Sequence, residues 1–337
     1  MIDSTGATLG TIRVARGLSQ KDLAVAAGIT QGFLSKLEAG AVPLDSEKAR
    51  VLAEALGVRP GIFGVNISHD ARIFHRKLAS LPIKADKRLR AESALLQSQV
   101  SSLLGGDLPS LTLERDPLPD DDMYTPSDIA RRLRSRWKLG TGPIDDLVAV
   151  AESHGILVVI HDMQTLRLDA IATWPAGGAP VIFLADHAPA DRQRFTMAHE
   201  IGHAVMHELP TIEQESEADQ FASEFLMPAA TIRSELSDVS LKNLAALKRR
   251  WGVSIAALAR RARDLSLMSD NQYKNFNIYM SSSGMKKREP VELPVHEPRL
   301  IHDLLDQRLA EGRTIDELAT AAWMTENELK TRFLEHR

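Results

Sequence analysis

Apolar residues recur at intervals of three and four along most of the chain, the spacing that turns one stripe of a helix towards a core. The clearest case is Phe195, Ala198, Ile201, Val205 and Leu209, followed at short range by a second stripe of Ala218, Phe221, Ala222 and Phe225. Thr211, with Gln214 three residues on, reads as a capping box opening that second helix, and Pro210 stands just before it. Two runs break the helical period. GILVVI at 155–160 and PVIFLA at 180–185 are short, continuous and apolar, as buried strands are. The glycine-bearing PAGGAP makes Ala170–Trp174 and Val181–Ala185 the arms of a hairpin.

Taken from the N-terminus, the pattern gives five short helices within residues 4–64, the first carried by Leu9, Ile12, Val14 and Leu18. Residues 66–104 read as one basic helix with apolar Leu89, Leu95, Leu96, Val100 and Leu103. It is expected to be a solvated connector, with a dimer or DNA-backbone surface as the other reading. The glycine, proline and acid of GGDLPSLTLERDPLPDDD make 105–124 a linker. A new domain over 125–265 opens at Thr125-Pro126 with a helix through Trp137, then a helix over Ile144–His154, the strands and the two striped helices. It ends in two amphipathic helices parted at Trp251 and Gly252. Residues 266–337 form a helical C-terminal region; its aromatic-and-asparagine stretch reads as partly buried rather than as a base-stacking surface. The tail from 299 carries two helices, and TIDELATAAWMTENELKTRF hints at a second helix-turn-helix. The fold class is mainly α with a small β-sheet (α+β).

Beside the first stripe stand His199 and His203, one helical turn apart, with Glu200 between them. In this H-E-x-x-H arrangement two imidazoles hold zinc and the carboxylate handles a proton. A lone histidine on an amphipathic helix is ordinarily a core or surface residue; the capped, acidic second helix at short range argues for the metal. Catalytic zinc takes a third protein ligand and keeps a place for water. Glu215 is the expected third ligand, though only helix phase separates it from Glu213, Glu217 and Glu224. Asp219, one turn on, is expected to orient a ligand histidine. His207 lies four residues past His203, but three histidines along one straight helix do not easily converge on one ion.

Near the N-terminus, Ser19 caps a helix over Gln20–Ala27, Gly28 ends it, and Thr30 caps another running to Glu38. Two short helices joined by a tight glycine turn make a helix-turn-helix. Leu23, Ala24, Ile29, Leu34 and Leu37 pack the pair together, leaving Gln31, Gly32, Ser35 and Lys36 at the open start of the second helix. Gln31 suits adenine, Ser35 is a flexible donor, and Lys36 suits phosphate or guanine. A plain helical hairpin is the bland alternative.

Composition narrows the classes. The chain has 337 residues, more than one core usually serves, and 44% hydrophobic with 26% charged residues is ordinary for a globular protein. No apolar run approaches membrane-spanning length, and the start, MIDSTGATLG, lacks the order of a secretory signal. With no cysteine, any metal must rest on histidine and carboxylate. A cytoplasmic protein with no membrane partner is expected. The net charge of −4 is unevenly spread: residues 66–100 are basic, 101–125 acidic, and 1–65 hold 7 basic against 6 acidic groups. DNA binding by the first module alone is therefore expected to be weak and salt-sensitive.

Two resemblances follow from these residues. RFTMAHEIGH, then ESEAD, then FASEFLMP, with PIDDL and GILV upstream, resembles the ImmA/IrrE family of zinc metallopeptidases. The resemblance implies a zincin-like domain in which His199, His203 and the glutamate of E-x-x-A-[DN], here Glu215, bind Zn2+ and Glu200 is the catalytic base. LSQKDLA with GITQ is similar to the lambda-repressor and Cro-like (XRE) domains. That likeness implies that the Thr30–Glu38 helix reads double-stranded DNA and that Gln20 and Gln31 are contacts. Together they imply a regulator fused to a zinc endopeptidase, with an XRE-type repressor as protein substrate, cut to switch on stress, phage or mobile-element genes. A homodimer is the oligomer considered. An additional oxyanion donor is expected, with His161, His187 and His207 unranked. The competing reading is a non-proteolytic transcription factor whose peptidase-like domain senses metal, ligand or partner; an antitoxin-like component is a third.

Overall fold

A four-stranded sheet divides the molecule, and each region is defined by the side of it on which its apolar residues are buried. The computed structural model describes residues 4–67, 72–74, 82–105, 113–118, 124–163, 169–174, 180–207, 211–286 and 288–335. In chain order these hold α1 (Ser4–Ala15), α2 (Gln20–Ala26), α3 (Gln31–Glu38), α4 (Ser46–Leu56) and a 3-10 turn (Pro60–Gly64). Then come β1 (Arg72–Phe74), α5 (Ile83–Leu104), α6 (Pro126–Arg136), α7 (Leu147–Ser153), β2 (Leu157–His161), β3 (Ala170–Trp174) and β4 (Val181–Ala185). The rest is helical: α8 (Ala190–Met206), α9 (Gln214–Leu226), α10 (Ala229–Glu235), α11 (Leu241–Trp251), α12 (Ile255–Asp264) and α13 (Asp270–Ser282). α14 (Leu300–Ala310), α15 (Ile315–Ala321) and α16 (Glu326–Phe333) close the chain. The mainly α, α+β class is what the periodicity predicts.

The sheet runs β1-β3-β4-β2. β3 and β4 form the expected antiparallel hairpin, and β2 lies parallel to β4 on its other side. All five residues of both hairpin arms are buried because helices cover both faces of the sheet. Val158, Ala172, Ile182 and Leu184 pack against α8 and α9. Their neighbours Leu157, Val159, Ile171, Val181 and Phe183 point the other way, into a second core with α5, α14, α15 and α16.

α5 corrects the reading of 66–104 as one solvated basic helix. The helix begins at Ile83, and a strand, β1, precedes it on the edge of the sheet beside β3. Ala91, Ala94 and Leu95 of α5 enter the core of the N-terminal helices, while Leu89, Leu96, Val100 and Leu103 enter the core under the sheet. Adjacent apolar pairs, Leu95-Leu96 and Leu103-Leu104, had already made its stripe too wide for a single buried face. Two further expectations give way. α9 starts at Gln214 with Glu213 at its cap position and no side-chain cap bond, so Thr211 lies too far upstream to form the capping box. The tail from 299 holds three helices, since the turn at Gly312 separates α14 from α15.

Most of the acidic linker and Leu209 and Pro210 fall outside the described residues. Within the linker, Asp116 is fixed: its amide donates to the Val205 carbonyl at 3.0 Å and its carboxylate meets Arg132 at 3.0 Å and Arg136 at 2.7 Å. The hinted second helix-turn-helix is α15–α16, and it faces inward. Val58 bridges to Met324, the Arg59 amide donates to the Trp323 carbonyl at 2.9 Å, and Arg16 grips Glu328 through both terminal nitrogens at 2.8 and 3.1 Å. No described helix is long and apolar enough to cross a membrane.

Candidate metal centre and nucleic-acid interface

α8 forms because its apolar stripe lies on the sheet, and that seat places His199 and His203 on the side facing α9. Ala198, Ile201 and Val205 are fully buried, as are Ala218, Phe221, Ala222 and Phe225 of α9. The two helices approach closely at Gly202, where a Cβ would come within 2.8 Å of the Phe221 ring. Motif reading passes over this glycine because it has no side chain to perform chemistry; its role is the space it leaves.

Across that contact the structure gathers His199, His203 and Glu215. The Nε2 atoms of the two rings are 3.0 Å apart, and the Glu215 oxygens lie 3.5 Å from His199 Nε2 and 3.4 Å from His203 Nε2. Tetrahedral zinc with bonds of about 2.0–2.1 Å sets its ligand atoms about 3.3–3.4 Å apart. The triangle fits a small N2O metal site. Both histidines are fully buried while Glu215 is 41% exposed, so the cluster opens on the α9 side.

The electrostatics of two of the three side chains, Glu215 and His203, suit a cation, while His199 holds a proton that a metal would have to displace. Burial opposes ionisation of Glu215, but bonds from the His199 and His203 rings overcome it and hold the carboxyl well below its usual range. Burial pushes His203 down to about 4. The same burial acts on His199, yet bonds to Asp219 and Glu215 outweigh it and raise the ring to about 9. A neutral His203 and an ionised Glu215 are the forms that bind metal.

Glu200 is fully buried, both carboxylate oxygens included, and its charge acts on the His199 ring. Asp219 Oδ1 is 3.0 Å from His199 Nδ1, the nitrogen turned away from the cluster. Arg260 of α12 reaches the other Asp219 oxygen at 3.4 Å. On the second ligand, His203 Nδ1 meets His207 Nδ1 at 2.9 Å, and His207 Nε2 meets Glu217 Oε2 at 2.9 Å. α8 ends at Met206, and His207 leaves it with extended φ −104 and ψ 128, so its ring turns back onto His203. A straight-helix picture could not supply that turn. Of the three histidines weighed as oxyanion donors, His207 alone joins the cluster. His161 lies on β2 against Glu92 and Arg332, and His187 precedes α8 beside Asp186.

Apart from Gln20, which is half-buried against Glu38, the N-terminal site is built from exposed side chains. Ser19 and Thr30 cap α2 and α3, and Gly28, at φ +65, makes the turn between them. Leu23, Leu34 and Leu37 are buried in the contact between the helices. Thr30, Gln31, Gly32, Ser35 and Lys36 are all exposed along α3, Thr30 at its cap and Lys36 in its last turn. Glu38, at the other end of α3, accepts from Arg13 at 2.6 and 3.0 Å and from the Gln20 amide at 2.9 Å, which ties α1, α2 and α3 into one piece.

The fold and the two sites define a DNA-binding helix-turn-helix domain joined to a metallopeptidase-like domain. Residues 151–263 match the family model of the IrrE N-terminal-like domain, and residues 9–63 match the helix-turn-helix model. Over those stretches the chain resembles an XRE-type helix-turn-helix and an IrrE/ImmA-like metallopeptidase domain. Among curated proteins, none matches it.

Proposed function

We propose that the chain is a cytoplasmic transcriptional regulator whose second half is a zinc-dependent endopeptidase. Its substrate is a repressor of the XRE class, and cutting it releases stress, phage or mobile-element genes. The observation that carries this reading is the triangle of His199, His203 and Glu215, with Glu200 beside it. Zinc held by those three side chains would polarise the scissile carbonyl and bring the pKa of a bound water to about 7. Glu200 takes a proton from the attacking water and returns it to the leaving amine. Asp219, braced by Arg260, keeps the His199 ring in register. Gln20, Thr30, Gln31, Gly32, Ser35 and Lys36 face double-stranded DNA, and a homodimer presents two such faces to a two-fold operator.

The full burial of Glu200 favours a second reading, a regulator that senses metal or partner and cuts nothing. One experiment separates them. Zinc is measured in purified wild type and Glu200→Gln, and each is incubated with the repressor encoded nearest its gene. Zinc in both with cleavage by wild type alone supports the endopeptidase. Zinc in both and no cleavage by either favours the sensor. No zinc in either removes the metal reading.

A further inference from the structure

The two histidines of the cluster are oriented by different devices, and the difference points to a role for His207. His199 leans directly on a carboxylate, Asp219. His203 leans on another imidazole, and the carboxylate stands one ring further out, on Glu217.

With a metal on His203 Nε2, proton placement along this chain has one self-consistent solution. His203 turns Nε2 towards Glu215 and His199, so the lone pair a metal needs is on Nε2 and the ring proton is on Nδ1. That N–H requires an acceptor, and His207 Nδ1 stands 2.9 Å away. His207 can accept there only if its own proton sits on Nε2, and Nε2 faces the Glu217 carboxylate at 2.9 Å, a pure acceptor when ionised. Glu217 thus fixes the tautomer of His207, and His207 fixes the tautomer and rotation of His203. His207 is 5% exposed, so bulk water does not replace this partner.

We propose that His207, held by Glu217, is the positioning residue for His203 and sets the metal affinity of the cluster. Both its ring nitrogens are engaged, by His203 and Glu217, so it acts on the metal through His203. This rests on the metallopeptidase reading, and the test keeps the two apart. Full-length wild type, His207→Phe and His207→Gln are stripped of metal, compared by melting, and titrated with zinc against a chromophoric chelator. Cobalt spectra of each report the geometry of the ligand set. Phenylalanine fills the space and offers no acceptor; the glutamine carbonyl can accept from His203 Nδ1. Expected are similar metal-free melting, zinc affinity lowered about 10–100-fold in His207→Phe with an altered cobalt spectrum, and recovery of most of that loss in His207→Gln. If both variants bind zinc within twofold of wild type, or both lose it equally, His207 does not position the ligand although the metal site stands. A wild type that takes up no zinc overturns the metal reading and this inference with it.

Discussion

The two functional regions of this chain are built on opposite principles. At the peptidase-like centre His199, Glu200 and His203 are fully buried, and their value depends on partners fixed in a shared core. On α3 of the helix-turn-helix, Gln31, Gly32, Ser35 and Lys36 are exposed and depend only on the pair of helices beneath them. A buried constellation acts as a unit, so removing one member removes most of the function. An exposed surface acts as a sum of separate contacts, so each loss is graded and sensitive to salt. Loss of Glu200, the proposed base, should show this most sharply. Glu200→Gln is expected to lower cleavage by about 10²–10⁴-fold, with zinc content and DNA affinity unchanged. A loss of only a few fold in a timed cleavage assay would place the proton on another group and weaken the contrast.

α5 lets the comparison be tested within one helix. Leu95 belongs to the core of the N-terminal helices and Leu96, its neighbour, to the core beneath the sheet. Either change to alanine is expected to cost about 2–5 kcal/mol in thermal or denaturant unfolding. Hydrogen exchange should tell them apart. Leu95→Ala loosens α1 and the 3-10 turn, and Leu96→Ala loosens β2 and β4. If both variants loosen both regions equally, the two cores are one cooperative unit and the regions are less independent than their surfaces imply.

Glu152 of α7 gives a smaller, pH-dependent handle on the peptidase side. Burial raises its carboxyl to about 7, although the Arg299 and Leu300 amides, at the start of α14, donate to it at 3.1 Å. A carboxyl whose folded pKa lies above its ordinary 4.5 binds a proton more readily folded than unfolded. Its contribution is therefore most favourable at low pH and declines as pH rises from 4.5 through about 7, by at most about 3 kcal/mol. Melting wild type and Glu152→Gln between pH 5 and 8 should show a flatter profile in the variant. Parallel profiles would mean that the two amide donors stabilise the carboxylate enough to cancel its burial.

What the sequence made legible follows the same division. The stripes of α8 and α9 place the ligand face because the helical period is fixed, and the caps Ser19 and Thr30 place α2 and α3 because a helix start needs acceptors for its free amides. Burial on two sides hid α5, since the basic residues of its first half, Lys84, Lys87, Arg88 and Arg90, suggest a solvated face while its leucines fill two faces. The His207 contact was hidden for another reason. It depends on where α8 stops, and boundaries are the part of a helix that periodicity defines least. The inward docking of α15–α16 was likewise unreadable, because its local pattern matches that of α2–α3 and only long-range partners, Arg16 and Val58, distinguish them.

The smallest expected effect lies on the exposed side. α3 begins without an acidic residue in its first turn, so its amide end offers positive potential to a phosphate, and Lys36, exposed in its last turn, offers a second, separate positive charge. α16, of the same length and similarly capped by threonine, opens with Glu326 and Glu328 and would repel one. Lys36→Ala should reduce affinity for the chain's own operator by several fold, about 1 kcal/mol, and lower the slope of log affinity against log salt by about 0.9 for one phosphate contact. Zinc content and cleavage should be untouched, since nothing buried changes. A slope that stays constant while affinity falls equally at all salt concentrations would move Lys36 from the phosphate backbone to a base edge, where a defined operator position rather than ionic strength governs the loss.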